Sequence, residues 1–232
     1  MRELEAIAPS RDSAAQGSAF DTDGYAIIPA ILSIAACDRL LERVDACARA
    51  RAGSRRLLDE PLVAEIAGYL QQHPAIAAWL PARAQVLQCT LFAKTPDANW
   101  SVTPHQDLSV PVRERMDAPG WSGWSIKEGV SFAQPPLPVL EQLLAVRLQL
   151  DGDAETTGPL EVIPGSHRSG RLSMAALKEH FGLPRVRCIV PKGGVLVLRP
   201  LLVHASGKGS GAGHRRVLHF LYGPPLQADI PP

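Results

Sequence analysis

The sequence lacks the features that mark nucleic-acid-binding, membrane-spanning and disulfide-stabilised proteins. Its 232 residues include 24 Lys and Arg against 23 Asp and Glu, a net charge of +1. This balance gives no electrostatic argument for a nucleic-acid partner. The longest apolar stretch, residues 25–36, is interrupted by Pro29 and Ser33 and is too short to span a bilayer. The four cysteines form no CxxC pair, which favours free thiols in a reduced, cytoplasmic setting.

The length suits one large domain with a sizeable core. Residues 1–19 are polar and rich in Ala and Ser, so we expect a flexible tail there. We expect residues 20–232 to form a single domain. No targeting segment and no internal repeat is recognisable, so the sequence predicts a soluble protein without a membrane partner.

The periodicity changes from helical to strand-like at Pro81. Ser33 is a suitable N-cap for an amphipathic helix over residues 34–51. Pro61 is placed to begin a second helix that ends near Gln72, and a shorter helix precedes Pro81. Strands are predicted at residues 84–94, 143–150, 158–163, 187–190, 195–198, 202–206 and 216–222. This order predicts an α+β fold, a double-sheet barrel or jelly roll with the N-terminal helices packed on one sheet.

A candidate metal motif lies at residues 103–107, Thr-Pro-His-Gln-Asp. Alternate side chains of an extended segment share a face, so His105 and Asp107 point the same way. One imidazole beside one carboxylate is two thirds of a 2-His-1-carboxylate facial triad, which leaves positions open on non-haem Fe(II). The candidate third ligand is His204, at the end of a predicted strand. His219, on the last predicted strand, is its competitor.

Arginines at two places in the sequence are candidate anchors for an anionic ligand. Arg215 follows His204 by eleven residues and suits a carboxylate cosubstrate, although the pattern alone does not choose between Arg215 and Arg216. Arg147 lies on the face of its strand that is opposite to a wholly apolar one, so it is expected to look into the barrel. A buried guanidinium requires a carboxylate partner, either a bound ligand or a protein group such as Glu161. The alternative is an exposed arginine on an edge strand.

Residues 108–142 follow neither period and contain five prolines together with Trp121 and Trp124. A segment of this length inside a domain is usually functional or disordered. Because it begins directly after the metal motif, we expect a lid insertion whose tryptophans contact the substrate. A floppy insertion is the alternative.

Four short motifs, in order and at fitting spacings, resemble those of the phytanoyl-CoA dioxygenase family. They are residues 23–25 (Asp-Gly-Tyr), residues 105–107 (His-Gln-Asp), residues 158–167 (Gly-Pro-Leu-Glu-Val-Ile-Pro-Gly-Ser-His), and residues 204–207 (His-Ala-Ser-Gly) with Arg215. The similarity covers roughly residues 20–224. Members of this family are Fe(II)- and 2-oxoglutarate-dependent oxygenases.

The resemblance implies a cupin-like double-stranded β-helix that uses Fe(II), 2-oxoglutarate and O₂. It also implies a dioxygenase that hydroxylates an aliphatic C–H of a small-molecule substrate. Because the carboxylate ligand is present, we expect hydroxylation and not halogenation. The implied iron ligands are His105, Asp107 and His204. The expected cosubstrate-binding residues are Arg215, Ser206, Arg147 and Thr90, with His219 as a neighbour behind the ligands.

Two other classes of protein stay open. A jelly-roll ligand-binding protein would keep the fold without catalysis, and a zinc hydrolase would use the same three ligands without redox chemistry. No acyl-CoA site is recognisable. Arg113, Arg115 and Lys127 of the insertion are candidates for contact with phosphates, but we expect them to be solvated. The substrate and the oligomeric state stay open as well.

Overall fold

The computed structural model describes residues 19–48, 57–115, 117–211 and 213–226. The predicted flexible tail therefore lies outside the described residues, apart from residue 19. The last part of the first predicted helix, residues 49–51, also lies outside them. Among the described helices, none is long and apolar enough to cross a membrane.

Short helices and antiparallel strands follow one another along the chain. The helices are α1 (Ile34–Ala48), α2 (Pro61–Gln72), α3 (Pro74–Ala77), α4 (Leu137–Leu140) and α5 (Met174–His180). The first six strands are β1 (Tyr25–Ile28), β2 (Gln85–Lys94), β3 (Val102–His105), β4 (Val110–Val112), β5 (Ser122–Lys127) and β6 (Val130–Gln134). The others are β7 (Leu144–Gln149), β8 (Leu160–Val162), β9 (Val186–Cys188), β10 (Val195–Leu198), β11 (His204–Ser206) and β12 (Arg215–Gly223).

Two antiparallel sheets build the central double-stranded β-helix. The larger has five strands in the order β1-β10-β7-β12-β2, and the smaller has four in the order β3-β11-β8-β9. Apart from β8 and β9, neighbouring strands within each sheet are not consecutive in the chain, as in a jelly-roll topology. The predicted α+β fold with a jelly roll is confirmed.

The outer face of the larger sheet packs against the N-terminal helices. One buried cluster contains alternate residues of β7, starting at Leu144, together with Leu40 and Val44 of α1 and Ile66 and Leu70 of α2. Full burial of each such side chain stabilises the fold by about 1.5–3 kcal/mol. The inner face of β7 contributes Ala145 to a second apolar cluster that includes residues of β8 and β10. The alternation of β7 therefore separates a helix-packing face from a face that looks into the β-helix.

The prediction of an irregular segment over residues 108–142 is wrong. This segment contains a three-stranded antiparallel sheet in the order β4-β6-β5, followed by α4. Glu128 and Gly129 join β5 to β6 with φ angles of 52° and 76°, which suit a two-residue type I′ turn. Glycine, serine and proline hide the strand period in this sequence, and the Glu-Gly pair was the local signal for a hairpin.

Two of the family motifs meet at the end of the β-helix. The amide of Gly165 donates a hydrogen bond to the carbonyl of Asp23 at 2.9 Å. Gly24 has φ +80°, and a Cβ built on it would lie 2.3 Å from Nδ1 of His167. A glycine is required there, both for the left-handed backbone and for the close approach of the imidazole. His167 therefore has a structural place in the fold.

Candidate metal centre and cosubstrate pocket

Two strands and one loop bring His105, His204 and Asp107 together. His105 ends β3 and pairs directly with His204, the first residue of β11. Asp107 follows two residues later, and its amide donates to the carbonyl of Pro200 at 2.9 Å. Nε2 of His105 lies 3.6 Å from Oδ1 of Asp107, and Nε2 of His204 lies 3.5 Å from Oδ2. The three ligand atoms lie within 4.8 Å of one another, so the group can hold one metal ion.

Backbone carbonyls orient both imidazoles. Nδ1 of His105 lies 2.8 Å from the carbonyl oxygen of Thr103, and Nδ1 of His204 lies 2.8 Å from that of Leu202. Because a carbonyl only accepts, each Nδ1 carries the proton and donates it. Each Nε2 is then left with its lone pair directed towards Asp107. This is the arrangement that orients histidine ligands in metal proteins.

Burial and neighbouring charges shift the pKa values of the three side chains, and these shifts affect how they bind a cation. Burial lowers the pKa of His204 to about 4, so this imidazole is neutral near pH 7. Burial would raise the pKa of Asp107, but His204 and His105 outweigh it and hold that pKa far below its usual range. Burial lowers the pKa of His105, but the adjacent Asp107 carboxylate, which favours the protonated ring, raises it overall. A metal ion therefore competes with a proton at His105.

Gln106 fixes the segment between the two ligands. Its Nε2 donates to the carbonyls of Gly170 and Leu201 at 2.8 and 2.7 Å, and its Oε1 accepts from the amide of Leu172 at 2.9 Å. The carboxamide is buried. These three bonds leave little freedom to the backbone that carries His105 and Asp107.

A cavity of about 70 Å³ connects the triad to three buried cations. Arg215 of β12 lies directly opposite Lys94 of β2 in the sheet, and such partners share one face. Ser206 of β11 and Arg147 of β7 also line the cavity. The remaining walls are formed by Phe92, Trp100, Val102 and Leu160.

Arg215 is buried without a close partner. Only 3% of it is exposed, and Nη1 lies 3.7 Å from Oδ1 of Asp153, beyond hydrogen-bond distance. Within the described residues, neither Nε nor Nη1 of Arg215 has a hydrogen-bond partner, and neither has the carboxylate of Asp153. Burial raises the pKa of Asp153 to about 6 although Arg215 and Arg147 lower it. A buried cation with so loose an ion pair suits a carboxylate ligand.

Lys94 is a pocket residue that the sequence reasoning missed. Its Nζ donates to Oγ of Ser206 at 3.1 Å and to the carbonyl of Gly207 at 2.6 Å. An ammonium group has three donors, so one stays free for a ligand. Burial and the nearby Arg215 and Arg147 lower its pKa to about 8. The strand period was the available signal, because Lys94 shares a face of β2 with Thr90 and Phe92.

Arg147 lies inside the β-helix, where it lines the same cavity as the triad. Its Nη1 lies 3.0 Å from Nδ1 of His219, and its guanidinium lies 5.3 Å from the ring of Phe92. Glu161, the suggested protein partner, is instead paired with Arg185 and Arg187. The carboxylate that Arg147 requires is therefore not Glu161.

The structure places three of the expected pocket residues elsewhere. Thr90 lines a neighbouring cavity with His219, because four residues along a strand separate it from Lys94 by about 13 Å. Trp121 and Trp124 line neither cavity. They stack on each other at 6.4 Å and pack on the apolar cluster that contains Val110. The sheet of the insertion turns them onto its own core, and their contact with a substrate stays a prediction.

Arg216 and His219, the competitors of Arg215 and His204, occupy other places. Nε and Nη2 of Arg216 donate to the carboxylate of Asp151 at 2.9 and 2.7 Å, away from the cavity. His219 does not belong to the group that can hold a metal. It lies behind that group, bonded to Arg147.

A jelly roll with a mononuclear two-histidine, one-carboxylate site defines a facial-triad metalloprotein. The family model for Phytanoyl-CoA dioxygenase (PhyH) matches residues 20–217. The chain belongs to this family and is a non-haem iron, 2-oxoglutarate-dependent oxygenase by that membership. A comparison with curated proteins gives no significant match.

Solved structures share the fold at low sequence identity. EctD from S. alaskensis in its apo form is 21% identical with a TM-score of 0.69, over 94% of this chain and 80% of that one. The non-haem α-ketoglutarate-dependent carbocyclase SnoK from nogalamycin biosynthesis is 16% identical with a TM-score of 0.68, over 94% and 87%. HygX from Streptomyces hygroscopicus with nickel and 2-oxoglutarate bound is 19% identical with a TM-score of 0.66, over 95% and 89%.

Proposed function

We propose that this protein is an Fe(II)- and 2-oxoglutarate-dependent dioxygenase that hydroxylates an aliphatic C–H of a small molecule. The observation that carries the proposal is one cavity that joins the His-Asp-His group to three buried, incompletely paired cations. In this proposal His105, Asp107 and His204 hold the iron. Two neutral imidazoles and one carboxylate leave a net charge of +1 on Fe(II), which favours an anionic bidentate ligand. Bound iron, with 2-oxoglutarate and O₂, supplies the oxidising power for the C–H bond.

The cationic end of the cavity binds the distal carboxylate of 2-oxoglutarate. Arg215 offers Nε and Nη1, which have no partner in the described chain, and Lys94 offers its third ammonium proton. Ser206 orients Lys94 and stands at the same end of the cavity. Hydrogen bonds between charged groups are strong in such a desolvated place. Arg147 adds positive charge beside the dicarboxylate and Asp107.

The apolar walls exclude water from the cosubstrate. Trp100, Val102 and Leu160 leave a cavity of only about 70 Å³ among the ligands and cations. A zinc hydrolase would use the same three ligands, but its chemistry does not account for a buried cationic pocket beside them. A binding protein without catalysis would account for the pocket and not for the orientation of both Nε2 atoms.

The proposal is tested by anaerobic loading with Fe(II), calorimetric titration with 2-oxoglutarate, and admission of O₂ in a screen of small metabolites. We expect 2-oxoglutarate to bind only with metal, and succinate release to rise with the true substrate, whose product gains one oxygen. Zinc-loaded protein should bind 2-oxoglutarate without turnover. Zinc-dependent hydrolysis without succinate would contradict the proposal, and halogenated product in chloride would contradict hydroxylation.

Replacing Arg147 with leucine is expected to weaken 2-oxoglutarate binding by about ten- to a hundredfold, because a buried cation beside the dicarboxylate is lost. The melting temperature should change little or rise, since a desolvated charge with no carboxylate partner is removed. Calorimetry and thermal unfolding measure the two effects. Arg185→Leu, which removes a partly exposed ion pair with Glu161, is the control. Unchanged affinity for both cosubstrate and substrate would remove Arg147 from the site.

A further inference from the structure

A second cavity, of about 280 Å³, lies on the other side of Asp107. It shares Asp107 and Phe92 with the cosubstrate pocket, so its contents lie beside the metal ligands. The remaining walls come from β2, β12, the residues on either side of Asp107, the small sheet of the insertion, and Leu143 directly before β7. They are Gln88, Thr90, Gln106, Leu108, Ser109, Lys127, Phe132, Gln134, Leu143, His219 and Leu221.

Not all polar groups of this wall are free to recognise a ligand. The carboxamide of Gln106 is used by three backbone groups, as described above. Oε1 of Gln134 accepts from Nη2 of Arg171 at 2.7 Å, which leaves its amide group. Nε2 of Gln88 donates to Oγ1 of Thr90 at 2.8 Å, so the Gln88 carbonyl and the Thr90 hydroxyl proton stay available. The wall therefore offers hydroxyl and amide groups beside its apolar side chains.

His219 contributes a neutral hydrogen-bond donor. A guanidinium only donates, so Nδ1 of His219 accepts from Arg147 at 3.0 Å and Nε2 must carry the ring proton. Burial and the charge of Arg147 lower the pKa of His219 to about 3, so the ring carries no charge near pH 7. The side chain thus adds an N–H donor to the wall and no positive charge.

Lys127 provides the only charge of the wall besides the metal ligand Asp107. It is the last residue of β5, and its Nζ lies 4.9 Å from the centre of the Phe132 ring. No salt bridge within the described part of the chain involves Lys127, and its ammonium group lies over the Phe132 ring. The sequence predicts a solvated lysine; in the structure the side chain is half-buried, and the β5–β6 hairpin directs it to the cavity. An unpaired ammonium group over an aromatic ring is suited to an anionic ligand.

The size of the cavity limits the ligand. At about 280 Å³ it lies just below the usual range of about 300–1,000 Å³ for small-molecule sites. A long acyl chain needs an extended apolar wall, whereas this cavity is lined mostly by amides, hydroxyls, an imidazole and an ammonium group.

We propose that the substrate is a small hydrophilic carboxylic acid, such as an amino or hydroxy acid, whose carboxylate is bound by Lys127. Its polar groups contact Gln88, Thr90 and His219, and its reacting C–H lies at the Asp107 end of the cavity. This assignment rests on the proposed oxygenase function, because that function places the substrate beside the metal.

The test compares pairs of small molecules that differ only in their carboxylate. The Fe(II)-loaded protein is supplied with 2-oxoglutarate and with the protein amino acids, their hydroxy-acid analogues, the corresponding primary amides and hexanoyl-CoA. Succinate release and equilibrium binding to the nickel-loaded protein are measured. We expect at least one acid to bind and to raise succinate release several-fold, while its amide is at least about ten times weaker. Hexanoyl-CoA should have no effect.

Lys127→Gln should raise KM for that acid by about ten- to a hundredfold and abolish the preference over its amide. Lys127→Arg should retain the preference. Arg113→Gln removes the same charge from a residue that follows β4 but does not line the cavity, and it should behave like the parent protein. The affinity for 2-oxoglutarate should be unchanged in all three variants.

Equal response to acid and amide, stimulation by hexanoyl-CoA alone, or an unchanged KM in Lys127→Gln would overturn the assignment. So would a lack of response to every acid while 2-oxoglutarate still binds and is slowly consumed without substrate. That last result leaves the oxygenase proposal standing. Failure to bind 2-oxoglutarate at all would overturn the oxygenase proposal and this assignment with it.

Discussion

Replacement of His204 with alanine is expected to abolish iron-dependent turnover of 2-oxoglutarate. His204 is almost fully buried and supplies one of the three ligand atoms that lie within 4.8 Å of one another. Loss of a group that merely orients a metal ligand costs about ten- to a hundredfold in affinity or activity. Loss of the ligand itself should exceed that, and the bound iron per chain should fall with it. Metal analysis and 2-oxoglutarate consumption measure both effects.

His214→Ala is the matched control, because this histidine is exposed and lies only ten residues after His204 in the sequence. It should retain full iron content and turnover. Thermal unfolding of the metal-free proteins separates loss of a ligand from loss of the fold. If His204→Ala kept full turnover, His204 would not be a ligand and His219 would have to take its place.

Replacement of Arg215 with leucine is expected to raise the Kd for 2-oxoglutarate by about ten- to over a hundredfold. The reason is loss of a charge-assisted contact that contributes about 1.5–3 kcal/mol. The guanidinium is buried at the end of the cavity opposite the metal ligands, with Nε and Nη1 unpartnered in the described chain. The iron content should stay unchanged, because Arg215 contacts no metal ligand. Calorimetry on the iron-loaded protein under anaerobic conditions measures the effect.

Arg216→Leu tests the strand register behind this prediction. Its guanidinium is bonded to Asp151 on the opposite side of β12. This variant should bind 2-oxoglutarate nearly as well as the parent and should instead have a lower melting temperature. The reverse ranking of the two variants would show that Arg216, and not Arg215, faces the cosubstrate.

The sequence by itself determined those features that depend on neighbours along the chain. Alternation in an extended segment was enough to put His105 and Asp107 on one face, because that period is local. The same argument separated the helix-packing face of β7 from the face that carries Arg147. Pro61 marked the start of α2 because proline is tolerated in the first turn of a helix.

Only the tertiary structure decided the features that depend on which strands are neighbours. His204 is preferred over His219 because β11 pairs with β3 in a register that places it opposite His105. Lys94, missed from the sequence, enters the pocket because β2 pairs with β12 opposite Arg215.

Strand pairing between distant segments also explains why some residues lie elsewhere than the sequence predicted. Thr90 shares a face of β2 with Lys94, but the pairing of β2 with β12 sets it opposite His219, in the second cavity. Trp121 and Lys127 belong to one strand-forming insertion, and its hairpin turns the indole to an apolar cluster and the ammonium group to a cavity. A local pattern specifies which side chains share a face of a strand. Which other part of the protein packs against that face depends on contacts between segments distant in sequence. A local sequence pattern carries no information about those contacts.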